Sequence, residues 1–312
     1  MPVFKFPFKS LSVYRLLPEF RGITESVVRE AVQAQRFQED ENGPVSEVGW
    51  AGARDNTQDP VFFQDRQVLL RYRRAKKVLP SSVVNEEVRR RALKIEQEQG
   101  YKPGRKQRKE IKENVIMELL PKSHTVLTDT LVWMDLRNGW LVLDSTSSTR
   151  CDDVLGLMAK TFEPFPATPL RVNKSPAGAM TDWLFEDMPP SGFSIDQETE
   201  LRSTGESRAL VRYVRETPDH ADVARQVGAG KQCVRLAMTW ADRISFVLTD
   251  DLRIKRLTPL DIVAARHNEE PSADDDAQFH STMALFTGEC AKLIGDVVAA
   301  LGGESTELDG NT

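Results

Sequence analysis

Cysteine is scarce in this chain. Cys151, Cys233 and Cys290 are the only three in 312 residues, odd in number and widely spaced, which excludes a disulfide scaffold and fits a reducing compartment. The four histidines (124, 220, 267 and 280) have no H-E-x-x-H spacing or other ligand pattern. No apolar run approaches the ~18 residues of a membrane span. The opening MPVFKFPFKSLSVYRL is interrupted by Lys5, Lys9 and Arg15, so it lacks a signal-peptide core. These absences predict a cytoplasmic chain with no membrane partner. Collagen-like and disordered classes are excluded by an ordinary 40% hydrophobic and 29% charged composition.

The notable presence is an uneven distribution of charge. The formal total of −5 argues against nucleic acid as a partner. Residues 66–122, however, hold seventeen basic against seven acidic side chains, a surplus of ten; the remainder holds 25 basic against 40 acidic. Two readings of the basic stretch stand: solvated faces of thin amphipathic helices, or one wall that holds a polyanion while the acidic remainder repels it elsewhere. In the second, alternate strand positions ~6.6 Å apart meet every second phosphate of a strand rising ~3.4 Å per nucleotide. That reading requires the cations to converge on one concave wall.

Hydrophobic periodicity supplies the elements. Leu11, Val13 and Leu16 open a strand, and a helix follows from Thr24-Glu25; residues 38–60, rich in Gly, Pro, Asp and Asn, read as loop. RQVLLRYRR (66–74) alternates as a half-buried strand whose outer face ends in arginines. Ser81 and Ser82 are candidate caps of a helix carrying Val84, Val88, Ala92 and Ile95, and a second helix runs from Arg105 to Leu120. Their stripes are narrow, which predicts a protruding helical hairpin. Asn138-Gly139 between LVWMDLR and WLVLD signals a β-hairpin. Residues 164–190 read as Pro-rich and irregular, and residues 236–248 as a strand pair. Phe279, Met283, Phe286, Cys290, Leu293 and Val297 form a helical seam ended by Gly302-Gly303, which reads first as packing on the chain's own sheet and alternatively as a seam between subunits. The expected class is α+β with antiparallel sheet and flanking helices. The expected organisation is an α+β body (1–77 and 122–265), a helical tip hairpin (78–121), an acidic linker (266–276) and a C-terminal helix on the body (277–304).

Catalytic motifs are weak. Gly228 to Gln232 (GAGKQ) lacks the leading glycine and the trailing Ser/Thr of a phosphate loop, and reads as a helix end. Asp219, His220 and Asp222 suit a helix N-terminus, and Asp250-Asp251 a turn. Glu110-Ile111-Lys112 has the E-x-K spacing of some nucleases without a partnering aspartate strand. No catalytic residue, metal site or cofactor is assigned, and the chain is not read as an enzyme. A metal-dependent nuclease using Asp250 and Asp251, and a protein-interaction module with a basic hairpin, are the alternatives.

FKSLSVYRL (8–16), KKVLPSSVV (76–84), ELLPKS (118–123), WADRISFVLTDD (240–251) with KRL (255–257), and FTGECAKLIGDVVAALGGES (286–305) together resemble the bacterial recombination-associated RdgC family. The resemblance implies a horseshoe-shaped subunit with central, base and tip regions. It implies a homodimer that closes as a ring around double-stranded DNA without sequence preference, associates with the nucleoid and restrains RecA. Carried over by motif position, the DNA-binding candidates are Arg73, Arg74, Lys77, Lys122, Arg215 and Lys231, joined by Arg71 and Lys76 from the basic strand and by His124. The chain departs from the family at His124, where Phe is usual, and at Glu216, where Gln is usual.

Overall fold

Alternation of small apolar and polar residues builds one large antiparallel sheet, and the longer-period stripes build helices on both of its faces. The computed structural model describes residues 6–38, 46–55, 57–263 and 274–305. In chain order its first part comprises β1 (Leu11–Leu16), α1 (Glu25–Ala34), β2 (Ser46–Ala51), β3 (Val61–Gln64), β4 (Gln67–Lys77), α2 (Ser81–Gln99), α3 (Arg105–Leu119), β5 (Thr125–Asp135), β6 (Trp140–Leu143) and α4 (Ser148–Thr161). The second comprises β7 (Ala167–Pro169), α5 (Pro176–Glu186), β8 (Phe193–Ser203), β9 (Leu210–Val214), α6 (His220–Gly228), β10 (Lys231–Trp240), β11 (Ile244–Thr249), β12 (Arg253–Pro259) and α7 (Asp275–Ala300). The class is α+β, as expected.

The strand order is β2-β4-β5-β6-β1-β12-β11-β10-β8-β9, with β3 also paired to β4 and β7 to β1. Its two halves meet at a narrow seam. β1 and β12 share only Leu11↔Ile254 and Ser12↔Arg253, supplemented by Leu257 N–H to Lys9 O at 3.0 Å and Arg253 Nη2 to Ser148 Oγ at 3.1 Å. By contrast, β4 and β5 pair continuously from Gln67↔Asp135 to Lys77↔Thr125.

One face of the first half (Val68, Leu70, Tyr72, Met134, Leu141) packs on Val28 and Val32 of α1 and on Val154, Leu157 and Met158 of α4. The other face carries Leu69, Trp133 and Val142 into a second core, which continues through Leu236, Met238 and Phe246 of the second half. The seam of α7 lies across both halves: Met283, Phe286, Cys290, Leu293 and Val297 are all buried there. Phe286 stacks on Phe8 at 4.9 Å and meets Trp133 at 5.3 Å. Polar ties add direction, with Trp240 Nε1 donating to Asp296 at 2.7 Å and Arg243 to Glu289 at 2.7 Å. Packing on the chain's own sheet is therefore the role of this helix. Gly302 and Gly303 end it with φ of 83° and 86°, a backbone that glycine adopts without strain.

Several local expectations need correcting. Part of the 38–60 stretch is strand β2, and residues 164–190 contain β7 and α5. Ser175 caps α5 and Pro176 supplies its first turn, where a missing N–H costs nothing. β4 lies inside the sheet, so Val68, Leu69 and Leu70 are buried on both faces rather than half-buried. Ser81 opens α2 without capping it; Pro80 holds the cap position and no side chain bonds there. Most of the acidic 266–276 segment lies outside the described residues, and Asp274 caps α7.

Candidate nucleic-acid interface

The basic stretch folds as the outer half of β4 plus the α2–α3 hairpin. The hairpin has its own small core of Val84, Ile111 and Val115, packed with Leu79, Val88, Ile95 and Leu119. It stands on the end of the β4–β5 ladder, where Val78 N–H donates to His124 O at 2.9 Å and Lys77 Nζ to Pro121 O at 2.9 Å. This root brings Lys76, Lys77, Lys122 and His124 together.

Strand alternation divides the β4 cations. Arg71, Arg73 and Lys77 share a face with Leu69; Arg74 and Lys76 share the opposite face with Tyr72. A single wall of β4 cations is therefore not what the strand builds. Most are also held by carboxylates. Arg73 Nε and Nη2 donate to the two Asp129 oxygens at 2.8 and 2.7 Å. Arg71 Nη1 lies 2.6 Å from Asp55 and 3.5 Å from Asp129, and Arg74 Nη1 lies 2.6 Å from Asp153. Lys77 is buried at the hairpin root. Lys76, Lys122 and His124 are exposed.

Arg215 and Lys231 lie elsewhere. Arg215 follows β9 at an exposed position with φ 59°, beside exposed Glu216. Lys231 opens β10, its Nζ 2.7 Å from Gln226 Oε1. β10 and β9 are six and eight strands from β4, about 30 to 40 Å at ~4.8 Å per strand. Around them the sheet carries paired charges: Glu198 accepts from Arg212 at 2.7 Å and from Arg256, and Glu200 contacts Arg202 and Arg235. Burial pushes the Glu198 carboxyl up, but the bonds from Arg212 and Arg256 hold it below its ordinary range.

Among the described residues, eight exposed cations that form no ion pair fall within the 47 residues of the hairpin and its root, Lys76, Lys94, Lys102, Arg105, Lys106, Arg108, Lys112 and Lys122, while nine more, such as Lys9, Arg137, Arg150 and Lys292, are spread over the rest of the chain. Their hairpin neighbours Arg89, Arg90 and Arg91 lean on Glu86, Glu87 and Glu118. Hydrogen bonds from Arg90 and Arg91 pull the Glu87 carboxyl down to about 2. Lys76, Lys77 and Lys112 line a cleft of about 470 Å³ at the hairpin root. Lys112 is 36 residues from Lys76 in sequence, and only the return of α3 beside α2 brings it there.

The catalytic-looking motifs resolve into local structure. Asp219 caps α6, accepting from Asp222 N–H at 2.7 Å; of GAGKQ, Gly228 to Gly230 close α6, with φ 77° at Gly230, and Lys231 and Gln232 begin β10. Asp250 and Asp251 occupy the β11–β12 turn, facing Arg202 and Arg253. Glu110 and Lys112 lie on α3. Among the described residues no group of three or more His, Cys, Asp or Glu side chains is arranged to hold a metal ion, and no helix is long and apolar enough to cross a membrane.

Comparison with known proteins extends over nearly the whole fold. A family model described as "Putative exonuclease, RdgC" matches residues 6–304. The recombination-associated protein RdgC of Bordetella parapertussis is 48% identical over 300 residues, covering 95% of this chain and 98% of that protein. That of Janthinobacterium sp. (strain Marseille) is 45% identical over 298 residues, covering 95% and 98%. That of Cupriavidus pinatubonensis is 50% identical over 256 residues, covering 82% and 85%. With its sheet, its hairpin and the sequence matched from Phe6 to Glu304, the chain belongs to the RdgC family.

Proposed function

We propose that this protein is a sequence-independent binder of double-stranded DNA that closes around the duplex as a homodimer and acts in recombination by occupying DNA that a RecA filament would use. The observation that carries the reading is the concentration of unpaired, exposed cations on the α2–α3 hairpin and its root, in a chain whose remainder is acidic. The relatives' name, recombination-associated protein, supports the process. Cations of this kind neutralise phosphate and carry no base information. Homodimerisation is supported by apolar side chains left exposed on the hairpin, including Leu93, Tyr101 and Met117, and on edge strand β9, including Leu210 and Val214, which a second copy would bury. Nucleoid association follows from binding DNA of any sequence.

Duplex affinity is expected to fall steeply between ~50 and 200 mM salt, because each neutralised phosphate releases a counterion. Reversal of Lys76, Lys112 and Lys122 to Glu should remove binding with the melting curve unchanged. A flat salt profile, or full binding by the reversed protein, would replace this reading. The family description also carries the word exonuclease. An end-labelled duplex incubated with Mg²⁺ or Mn²⁺ is expected to stay intact, and progressive loss of label would make the protein a nuclease.

A further inference from the structure

A cavity of about 470 Å³ lies where the middle of α7 crosses the ends of two hairpins. Those ends lie side by side because β4 pairs with β5, Gln67 opposite Asp135. The β3–β4 turn contributes Gln64 and Asp65, the β5–β6 turn contributes Arg137, and α7 contributes Met283, Gly288 and Lys292.

The walls are held by bonds of their own. Arg137 N–H and Asn138 N–H donate to the buried Asp135 at 2.9 and 3.0 Å. Gln67 joins the same carboxylate to Trp133 through bonds of 3.0 and 2.6 Å. Phe62, an apolar lining residue, meets Phe279 edge-on at 5.0 Å and His280 at 4.9 Å. Gln64 Oε1 lies 2.9 Å from His280 Nδ1, which leaves its amide N–H groups for another acceptor. A Cβ on Gly288 would meet no neighbouring element within 4 Å, so the room beside α7 is open.

Charge decides what fits. Arg137 and Lys292 are exposed, and neither side chain has an ion-pair or hydrogen-bond partner among the described residues. Asp65 is the acidic lining residue, so the cavity sets two positive charges against one negative. Cations that share one cavity repel, and an anion between them relieves the repulsion. The guanidinium offers forked donors to a carboxylate or phosphate, and the ammonium a point charge. Phe62 and Met283 beside them select a ligand with an apolar body. Apolar walls with a few polar groups, in a volume of roughly 300–1,000 Å³, are what small-molecule sites have in common.

We propose that this cavity binds a small organic anion, its head group on Arg137 and Lys292 and its apolar body against Phe62 and Met283. The head group has two chemical sources, a carboxylate or a phosphate monoester. The site lies apart from the hairpin cations and does not rest on the DNA-binding reading.

The full chain is titrated calorimetrically with octanoate, octyl phosphate and octanol, all at monomeric concentrations. The variants are Arg137→Gln, Lys292→Gln and Gly288→Leu, each checked by thermal melting; the last fills the open room without removing a charge. The expected result is saturable binding of at least one anion, weaker by about tenfold or more in each variant and for octanol. The tighter of the two anions identifies the head group. No saturation by either anion, binding of octanol equal to that of the anions, or affinity unchanged by both glutamine substitutions overturns the proposal. If Gly288→Leu melts early, the two glutamine variants decide the outcome, since both replace exposed side chains.

Discussion

Asp129 is the residue on which the β4 arginines turn. Its carboxylate holds Arg73 by two hydrogen bonds and lies 3.5 Å from Arg71; on the proposed DNA-binding reading, a backbone phosphate competes with it for these arginines. Asp129→Asn should therefore raise duplex affinity several-fold and steepen the logarithmic salt dependence by about one unit. Arg73→Glu should act in the opposite direction, and fluorescence anisotropy across a salt series reads both. The thiols are the reverse case, groups withheld from chemistry. Burial pushes Cys233 up to about 12 and Cys290 well above its ordinary value, so little thiolate exists near neutrality. Mass spectrometry after iodoacetamide at pH 8 should find both unmodified in the folded protein and both alkylated in urea.

At the scale of elements, the hairpin is separable from the sheet. Its core shares no residue with the two body cores, and the β4–β5 ladder already closes beneath it. Replacing residues 79–122 with a short Gly-Ser turn should leave a cooperative melt and strand-rich circular dichroism while abolishing duplex binding. Within the hairpin, Glu87 makes helicity pH-dependent. Its folded carboxyl lies below its unfolded value, so its contribution is full above about 4.5 and disappears as pH falls through about 2. Glu87→Gln should flatten that acid limb of the circular-dichroism titration. The hairpin helices, the β5–β6 turn and the α7 seam were legible in sequence because their apolar periods are unbroken. β2 was not, since Gly49 and flanking turn residues hide a strand whose glycine answers to Phe37 rather than to a bend. α5 hid behind Pro176, a residue that reads as a breaker but here starts a helix. In β8, Glu198 is satisfied by Arg212 of β9 and Arg256 of β12, and the buried Glu200 by Arg202 of β8 itself and Arg235 of β10, contacts with no local sequence signature. For the same reason the basic surplus was legible as a quantity but not as a surface: period two sends Arg73 and Arg74 to opposite sides of one strand.

For the whole molecule, α7 is what makes two half-sheets one folding unit. Phe286 is fully buried and touches Phe6, Phe8 and Trp133. Phe286→Ala should cost about 3–5 kcal/mol, read as a lower midpoint in urea with a single transition retained. Sedimentation of the wild-type chain should give a dimer mass, with or without duplex. The shallow join between β1 and β12 has a mechanical meaning. Tension applied to the outer flanks would find two rungs at Leu11 and Ser12 and eleven in the β4–β5 ladder, so compliance is concentrated along one line while the plates on either side stay stiff.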